Sequence, residues 1–133
     1  MTLRISLKDG EKMIVNGAVL RSVGRTDIVV ENQVAILRGR EVMSPEDATT
    51  PARRLYFSTM LAYIDEEGRA AHQQQILSLL ADLAEAFEGV SAKAACVSFA
   101  RHVAGGDYYR ALADCRDLIR YETEALAGLS VAS

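Results

Sequence analysis

The sequence contains little of what enzymes and metalloproteins use for chemistry. It has two histidines and two cysteines in 133 residues, and neither histidine lies at metal-ligand spacing from a partner. Cys96 and Cys115 are far apart and lack CxxC spacing, so neither a zinc site nor a redox pair is indicated. There is no GxSxG motif, and Gly105-Gly106 lacks the lysine of a phosphate-binding loop. We therefore expect no enzymatic activity, no catalytic residues, no metal and no cofactor.

Long apolar runs are also absent. No uncharged apolar run approaches the roughly 18–20 residues that a membrane span requires. The opening residues, MTLRISLKDGEK, lack the apolar block of a signal peptide. Half of the residues are hydrophobic and a quarter are charged, a balance typical of globular proteins in solution. We expect a cytoplasmic protein that has no contact with a membrane.

The charge is distributed unevenly along the chain. Residues 1–54 hold nine Arg or Lys against seven Asp or Glu, a net charge of +2. Residues 55–133 hold six against eleven, a net charge of −5. The total of −3 argues against a protein that is basic throughout, but it permits a local basic surface on the first part.

Residues 1–43 have the pattern of a β-rich subdomain. Leu3, Ile5 and Leu7 alternate with polar residues, which is the period-2 signature of a half-buried strand. Asn16-Gly17 separates two apolar runs, and this dipeptide is the strongest short signal for a hairpin with a type I′ turn. About five strands in forty residues predict a small antiparallel sheet or partial barrel.

Residues 44–133 have the pattern of a helical subdomain of about four helices. Thr50 is predicted to cap a helix that begins at Pro51, Ser91 to cap a later helix and Asp107 to cap the last one. A sheet this small buries little apolar surface by itself. The predicted fold class is therefore α+β, with the sheet packed on the helical bundle and one core shared by both parts.

The two cysteines have a structural interpretation. Cys96 and Cys115 both lie on apolar stripes at helical spacing. A free cysteine on such a stripe behaves as a small buried hydrophobic residue. We expect both thiols to be buried and unpaired.

Two arginine pairs are the candidates for anion recognition. Arg38 and Arg40 follow the last predicted strand, and Arg53 and Arg54 lie at the start of a helix. Arginine opposes the positive end of the helix dipole, so an anionic partner would explain this second pair. The partner could be a phosphate, helped by the free N–H groups of the helix start, or a carboxylate of the acidic second half. The sequence leaves these two alternatives open.

Three blocks of the chain resemble the FlbT family of bacterial flagellar regulators. The blocks are LRISLKDGEKMIVNGAVL, TTPARRLYF and DYYRALADCRDLIRYE, and together they cover about a third of the chain. The resemblance implies a repressor of flagellin synthesis that binds the 5′ untranslated region of flagellin mRNA and promotes its decay.

Our hypothesis for the RNA-binding residues comes from the chain itself and not from the family. It assigns phosphate contacts to the four arginines Arg38, Arg40, Arg53 and Arg54, and base stacking to Tyr56 or Tyr109. The alternative is a protein-interaction module or chaperone-like adaptor that binds flagellin or another flagellar regulator through its helices. The predicted partners are therefore the flagellin mRNA leader or a flagellar protein, and the sequence leaves a homo-oligomer open.

Overall fold

The protein consists of five strands followed by four α-helices in the part of the chain that its structure describes. This structure is a computed structural model, which describes residues 2–132 and the side chains of residues 2–128. The predicted α+β class, with a β-rich first part and a helical second part, is confirmed. The chain divides into two compact units, Met1–Val42 and Met43–Ser133. The shared core stays a prediction.

The strands of the first unit form two small antiparallel sheets. They are β1 (Leu3–Leu7), β2 (Lys12–Val15), β3 (Ala18–Arg21), β4 (Thr26–Val30) and β5 (Ile36–Arg38). One sheet pairs β1 with β4, and the other has the order β3-β2-β5. The strand β2 is therefore hydrogen-bonded on both sides, whereas β3 has a neighbour on one side only among the described residues.

The hairpin between β2 and β3 turns at Asn16-Gly17, as predicted. Both residues have positive φ, 48° for Asn16 and 87° for Gly17, as a type I′ turn requires. Asn16 also holds the connection to β5. Its Oδ1 accepts the Ala35 N–H at 3.0 Å, and its N–H donates to the Ala35 carbonyl at 2.9 Å. The turn thus fixes the register on both sides of β2.

The core of the first unit follows from the alternation in β1. Ile5 and Leu7 point to one side and are buried together with Met13 of β2. Four partly buried residues pack around them, namely Val15, Ile28, Val30 and Ile36. Burial of each fully enclosed side chain contributes about 1.5–3 kcal/mol.

The second unit is a bundle of four helices. They are α1 (Pro51–Ile64), α2 (Arg69–Ala86), α3 (Val90–Ala104) and α4 (Tyr108–Ala132). Two short 3-10 turns, Gly39–Glu41 and Pro45–Asp47, precede α1. Helix α1 packs against α2 and α4, and α4 also packs against α3. No helix in residues 2–132 has both the length and the apolar character to span a membrane.

Two of the three predicted helix caps are confirmed. Thr50 Oγ1 accepts the Arg53 N–H at 3.3 Å, and Asp107 Oδ1 accepts the Arg110 N–H at 3.1 Å. The prediction for Ser91 was wrong, because α3 begins at Val90 and has Gly89 as its N-cap, without a side-chain hydrogen bond. Ser91 therefore lies inside the first turn of α3.

The cysteines lie in the core of the second unit, as predicted. Both are buried and free. Burial raises the pKa of the Cys96 thiol. Burial also raises the pKa of Cys115 well above its ordinary value of 9.0, and the carboxylates of Glu122 and Asp114 add to this effect. Both groups are therefore protonated thiols at neutral pH.

Candidate nucleic-acid interface

A basic cleft opens on the first unit, with a volume of about 920 Å³. We use this name for the cavity lined by Ser6, Leu7, Lys8, Asp9, Gly10, Glu11, Arg25, Arg38 and Arg40. Four of these side chains are cationic and two are anionic, so the lining carries a net charge of +2. A concave surface with this charge favours anionic ligands.

Two turns that are distant in sequence build the cleft. Asp9, in the turn between β1 and β2, accepts the Gly24 N–H at 2.8 Å through its Oδ1. The Gly10 N–H donates to the Ser22 carbonyl at 2.8 Å. Gly10 and Gly24 have φ of 79° and 77°, a left-handed conformation that glycine adopts without steric cost. The flanking residues of these turns, Lys8 and Arg25, thereby come to line one cavity.

The two acidic residues of the basic cleft already have partners. Asp9 receives the Gly24 N–H, as described above. Glu11 Oε1 accepts the Lys8 N–H at 3.0 Å, and its Oε2 lies 3.6 Å from Arg38 Nη2. These contacts hold both carboxylates within the turns. The cationic groups of the lining consequently outnumber the carboxylates and are less fully paired.

Arg38 is fixed at the wall of the basic cleft. Its Nη2 donates to the Ser6 carbonyl at 2.9 Å, and the contact with Glu11 restrains the same end of the guanidinium. Its Nε–H is buried and has no hydrogen-bond partner within the described side chains. Arg40, two residues further on, is exposed and forms no ion pair with any described residue. The pair therefore combines one cation held by contacts and one that is exposed and has no ion pair within the described residues.

Arg53 and Arg54 lie on the first turn of α1, in the second unit. Arg54 is exposed and Arg53 is half-buried. Neither guanidinium lies within ion-pair distance of a carboxylate in residues 2–128. Of the two alternatives left open by the sequence, pairing with the acidic helices is thus not observed.

The start of α1 has no free N–H group for a phosphate, so that part of the sequence hypothesis was wrong. Pro51 has no N–H, and Thr50 accepts the N–H of Arg53. The remaining N–H, of Ala52, donates to Oε2 of the buried Glu122 at 2.8 Å. A carboxylate of α4 therefore occupies the positive end of this helix. Any anion bound here depends on the side chains of Arg53 and Arg54 alone.

The two candidate stacking residues differ in accessibility. Tyr56 is only 3% exposed, and its hydroxyl accepts from Arg116 Nη1 at 3.5 Å, so its ring presents no face to an unpaired base. This assignment was wrong because Tyr56 belongs to the buried side of α1. Tyr109 is 46% exposed, and its ring centroid lies 5.7 Å from that of Tyr63 at a tilt of 43°. Only Tyr109 remains a candidate for stacking.

The structure thus brings together some of the predicted residues and adds others. Arg38 and Arg40 share the basic cleft with Lys8 and Arg25, which sequence reasoning missed. Both missed residues lie close to glycines of turns, but the hydrogen bond that joins the two turns leaves no signal in the sequence. Arg53, Arg54 and Tyr109 belong to the second unit and line no part of this cleft.

A histidine, a serine and an aspartate also meet between α3 and α4. Asp114 Oδ2 lies 2.5 Å from His102 Nδ1, and its Oδ1 accepts the Ser98 hydroxyl at 3.0 Å. Both partners contact the carboxylate, so the serine is not hydrogen-bonded to the histidine as nucleophilic catalysis requires. The described residues contain no group of three or more His, Cys, Asp or Glu placed to hold a metal ion. This cluster therefore joins two helices.

Comparison with known proteins places the chain among flagellar proteins. Residues 3–126 match the family profile described as "Flagellar protein FlbT". The "Flagellum biosynthesis repressor protein FlbT" of Caulobacter vibrioides (strain ATCC 19089 / CIP 103742 / CB 15) is 36% identical over 131 residues, which cover 98% of this chain and 93% of that protein. The "Probable flagellum biosynthesis repressor protein FlbT" of Agrobacterium fabrum (strain C58 / ATCC 33970) is 36% identical over 126 residues, with 95% and 85% covered.

No solved structure matches the chain. The profile match extends over nearly the whole sequence, including the basic cleft and the greater part of α4. The relatives are similar over comparable lengths and share one name. The chain therefore belongs to the FlbT family.

Proposed function

We propose that this protein represses flagellum biosynthesis at the post-transcriptional level, without enzymatic activity of its own and in the cytoplasm. It binds the 5′ untranslated region of flagellin mRNA and promotes decay of the message. The names of the relatives support the repressor role. The resemblance of the three sequence blocks to the family supports the RNA target, and the charge of the basic cleft supports it as the site we propose.

The observation that carries this proposal is the clustering of four cations in the basic cleft. Guanidinium groups bind phosphate oxygens through paired hydrogen bonds, and Arg38 already has one orientation. The Arg38 side chain is 41% exposed, which leaves part of its guanidinium accessible to a phosphate in the cleft. Lys8, Arg25 and Arg40 would neutralise neighbouring phosphates.

The second unit contributes further contacts in this proposal. Arg53 and Arg54 are not paired with any carboxylate of residues 2–128, so phosphate binding at these side chains breaks no ion pair seen in the structure. Tyr109 offers a ring on which an unpaired base stacks, and such stacking is typical of single-stranded RNA recognition.

The test is binding of a flagellin leader RNA to the purified protein over a series of salt concentrations. In the double variant Arg25→Ala/Arg40→Ala two phosphate contacts are lost. The slope of log K against log salt should then become shallower by roughly 1.4, at about 0.7 per contact for single strands. Arg4→Ala is the matched control, because Arg4 is an exposed arginine of the same unit outside the cleft and outside β3. Equal losses in both variants, or no loss in either, would refute the cleft as the RNA site.

A second double variant, Arg53→Ala/Arg54→Ala, separates RNA contacts from structural roles. Because neither arginine has an ion-pair partner among the described side chains, the melting temperature should change little while RNA affinity falls and its salt dependence weakens. Unchanged RNA binding would remove these two residues from the interface and leave the basic cleft as the site under test.

A second candidate function is favoured by apolar side chains on the helices. Leu77 of α2 and Val90 and Val97 of α3 are exposed, although they are large apolar residues. Such residues suit an adaptor that binds flagellin or another flagellar regulator. Binding of purified flagellin that is abolished by Leu77→Asp/Val97→Asp, together with absent RNA binding, would favour this function over the first.

A further inference from the structure

The strand β3 is apolar on both faces and exposed on both. Val19 and Leu20 point to opposite faces of the sheet and are 64% and 45% exposed. Their partners across the hairpin, Ile14 and Met13 of β2, are both buried. Apolar residues on both faces are typical of a strand inside a sheet, yet β3 lies at the edge in the described part of the chain. This strand has the composition of an interior strand that lacks its second neighbour.

The outer edge of β3 has a defined set of backbone groups. The Asn16 N–H donates toward β5, to Ala35, and the Ser22 N–H donates to the Glu11 carbonyl. Backbone groups alternate in direction along a strand, so the odd residues of β2 bond to β3 and the even residues bond to β5. The even residues of β3 consequently bond inward, whereas the N–H and C=O groups of Val19 and Arg21 point outward. No described strand pairs with them.

We propose that β3 pairs with β3 of a second copy of this chain. The two strands run antiparallel across a two-fold axis and join two three-stranded sheets into one of six strands. An exposed apolar edge invites pairing with another strand, and proteins block such edges with charges, proline or bulges. Within Ala18–Arg21 only Arg21 provides such protection. In a two-fold pair each β3 edge is covered by the other, so no further copy can add at this surface.

The sequence of β3 is complementary to itself in one register. If Leu20 lies opposite Leu20 of the second copy, Val19 lies opposite Arg21 and the outward groups form four main-chain hydrogen bonds. The two leucines then form a non-hydrogen-bonded pair, in which side chains approach most closely. A shift by one pairing step toward the C-terminus would instead place Arg21 opposite Arg21, which like-charge repulsion disfavours. A shift toward the N-terminus would bring the Asn16-Gly17 turn into the ladder.

The test is the mass of the full chain in solution, measured by sedimentation at several concentrations up to about 100 μM. This range detects a dimer unless its dissociation constant is above about 100 μM. A short strand pair predicts a dimer that dissociates on dilution. Leu20→Lys and Leu20→Glu should each be monomeric, because like charges then meet at the axis. An equimolar mixture of the two should form a dimer again. Val23→Lys is the control, since Val23 is exposed and lies outside the strand centre, and it should stay dimeric.

Disulfide formation tests the register separately. Oxidised Leu20→Cys should form a covalent dimer, because residues directly opposite in a non-hydrogen-bonded pair are close enough for a disulfide. Val23→Cys should not, and the native cysteines are buried and stay silent. A monomeric wild-type protein, or a dimer that survives Leu20→Lys, would overturn the proposal. RNA binding is measured independently, so neither result decides the proposed function.

Discussion

Replacement of Glu122 by alanine should be among the most destabilising single changes in the helical unit. Glu122 is only 8% exposed, and its Oε2 accepts the Ala52 N–H at 2.8 Å across 70 residues of sequence. It thereby connects the middle of α4 to the first turn of α1. The substitution Glu122→Ala removes the acceptor and leaves a buried donor without a partner.

The expected loss of stability follows from two contributions. A buried donor left unsatisfied costs about 1–3 kcal/mol. Loss of a carboxylate at a helix N-terminus costs about 0.3–1 kcal/mol, and up to about 2 kcal/mol in a partly buried geometry. The free energy of unfolding should therefore fall by about 2–4 kcal/mol. With a urea m-value of about 2 kcal/mol per M, the unfolding midpoint falls by about 1–2 M.

Urea unfolding followed by circular dichroism measures this change. Glu122→Gln keeps an acceptor but removes the charge, so it should lose only about 1 kcal/mol. Glu124→Ala is the matched control, because Glu124 lies on the same helix and is exposed. It should change the midpoint little. If Glu122→Ala destabilised the protein no more than Glu124→Ala does, the contact with Ala52 would contribute nothing and the reasoning would fail.

Three further predictions concern other contacts. Cys115→Ser places a hydroxyl in the core and should lower the free energy of unfolding by about 1–3 kcal/mol; the native thiol should resist alkylation at pH 8 until the protein unfolds, because burial raises its pKa. The His72 hydrogen bond, followed by that of the Gly68 N–H, lowers the pKa of Asp65 below its ordinary 3.8. Ionised Asp65 therefore stabilises the fold at pH values above its ordinary pKa of 3.8, and this stabilisation is lost as the pH falls through the lowered pKa. An NMR titration of His72→Gln should show the pKa of Asp65 shifted upward. Asn16→Ala places an alanine at a φ of 48° and removes the hydrogen bond to Ala35. Together these changes should lower the free energy of unfolding, measured by thermal unfolding, by about 1–2 kcal/mol.

Local patterns predicted most of the secondary structure, because the determining contacts are short. The turn at Asn16-Gly17 depends on two residues, and the caps at Thr50 and Asp107 depend on a side chain and an N–H three residues away. Ser91 failed as a cap because glycine at position 89 adopts the extended conformation of an N-cap equally well.

The candidate site was less predictable, because it depends on distant contacts. The basic cleft exists since Asp9 binds the Gly24 N–H, a contact between turns fifteen residues apart that leaves no local pattern. The accessibility of Tyr56 was, by contrast, readable in principle. The residues at three- and four-residue steps along this side of α1 are all buried, namely Ala52, Leu55 and Thr59. The helical period therefore places the ring of Tyr56 inside the unit.

The contact between Glu122 and Ala52 has a consequence for how the protein is made. Helix α1 is synthesised early, but the carboxylate that satisfies its first turn and the helix that covers one side of it are added 70 residues later. Until then α1 keeps a free N–H and an uncovered apolar side. The hairpin of the first unit needs only neighbouring residues, and its contacts form sooner. During translation we expect the β-rich unit to acquire its structure first, while the helical segment stays accessible to chaperones and proteases until α4 has left the ribosome.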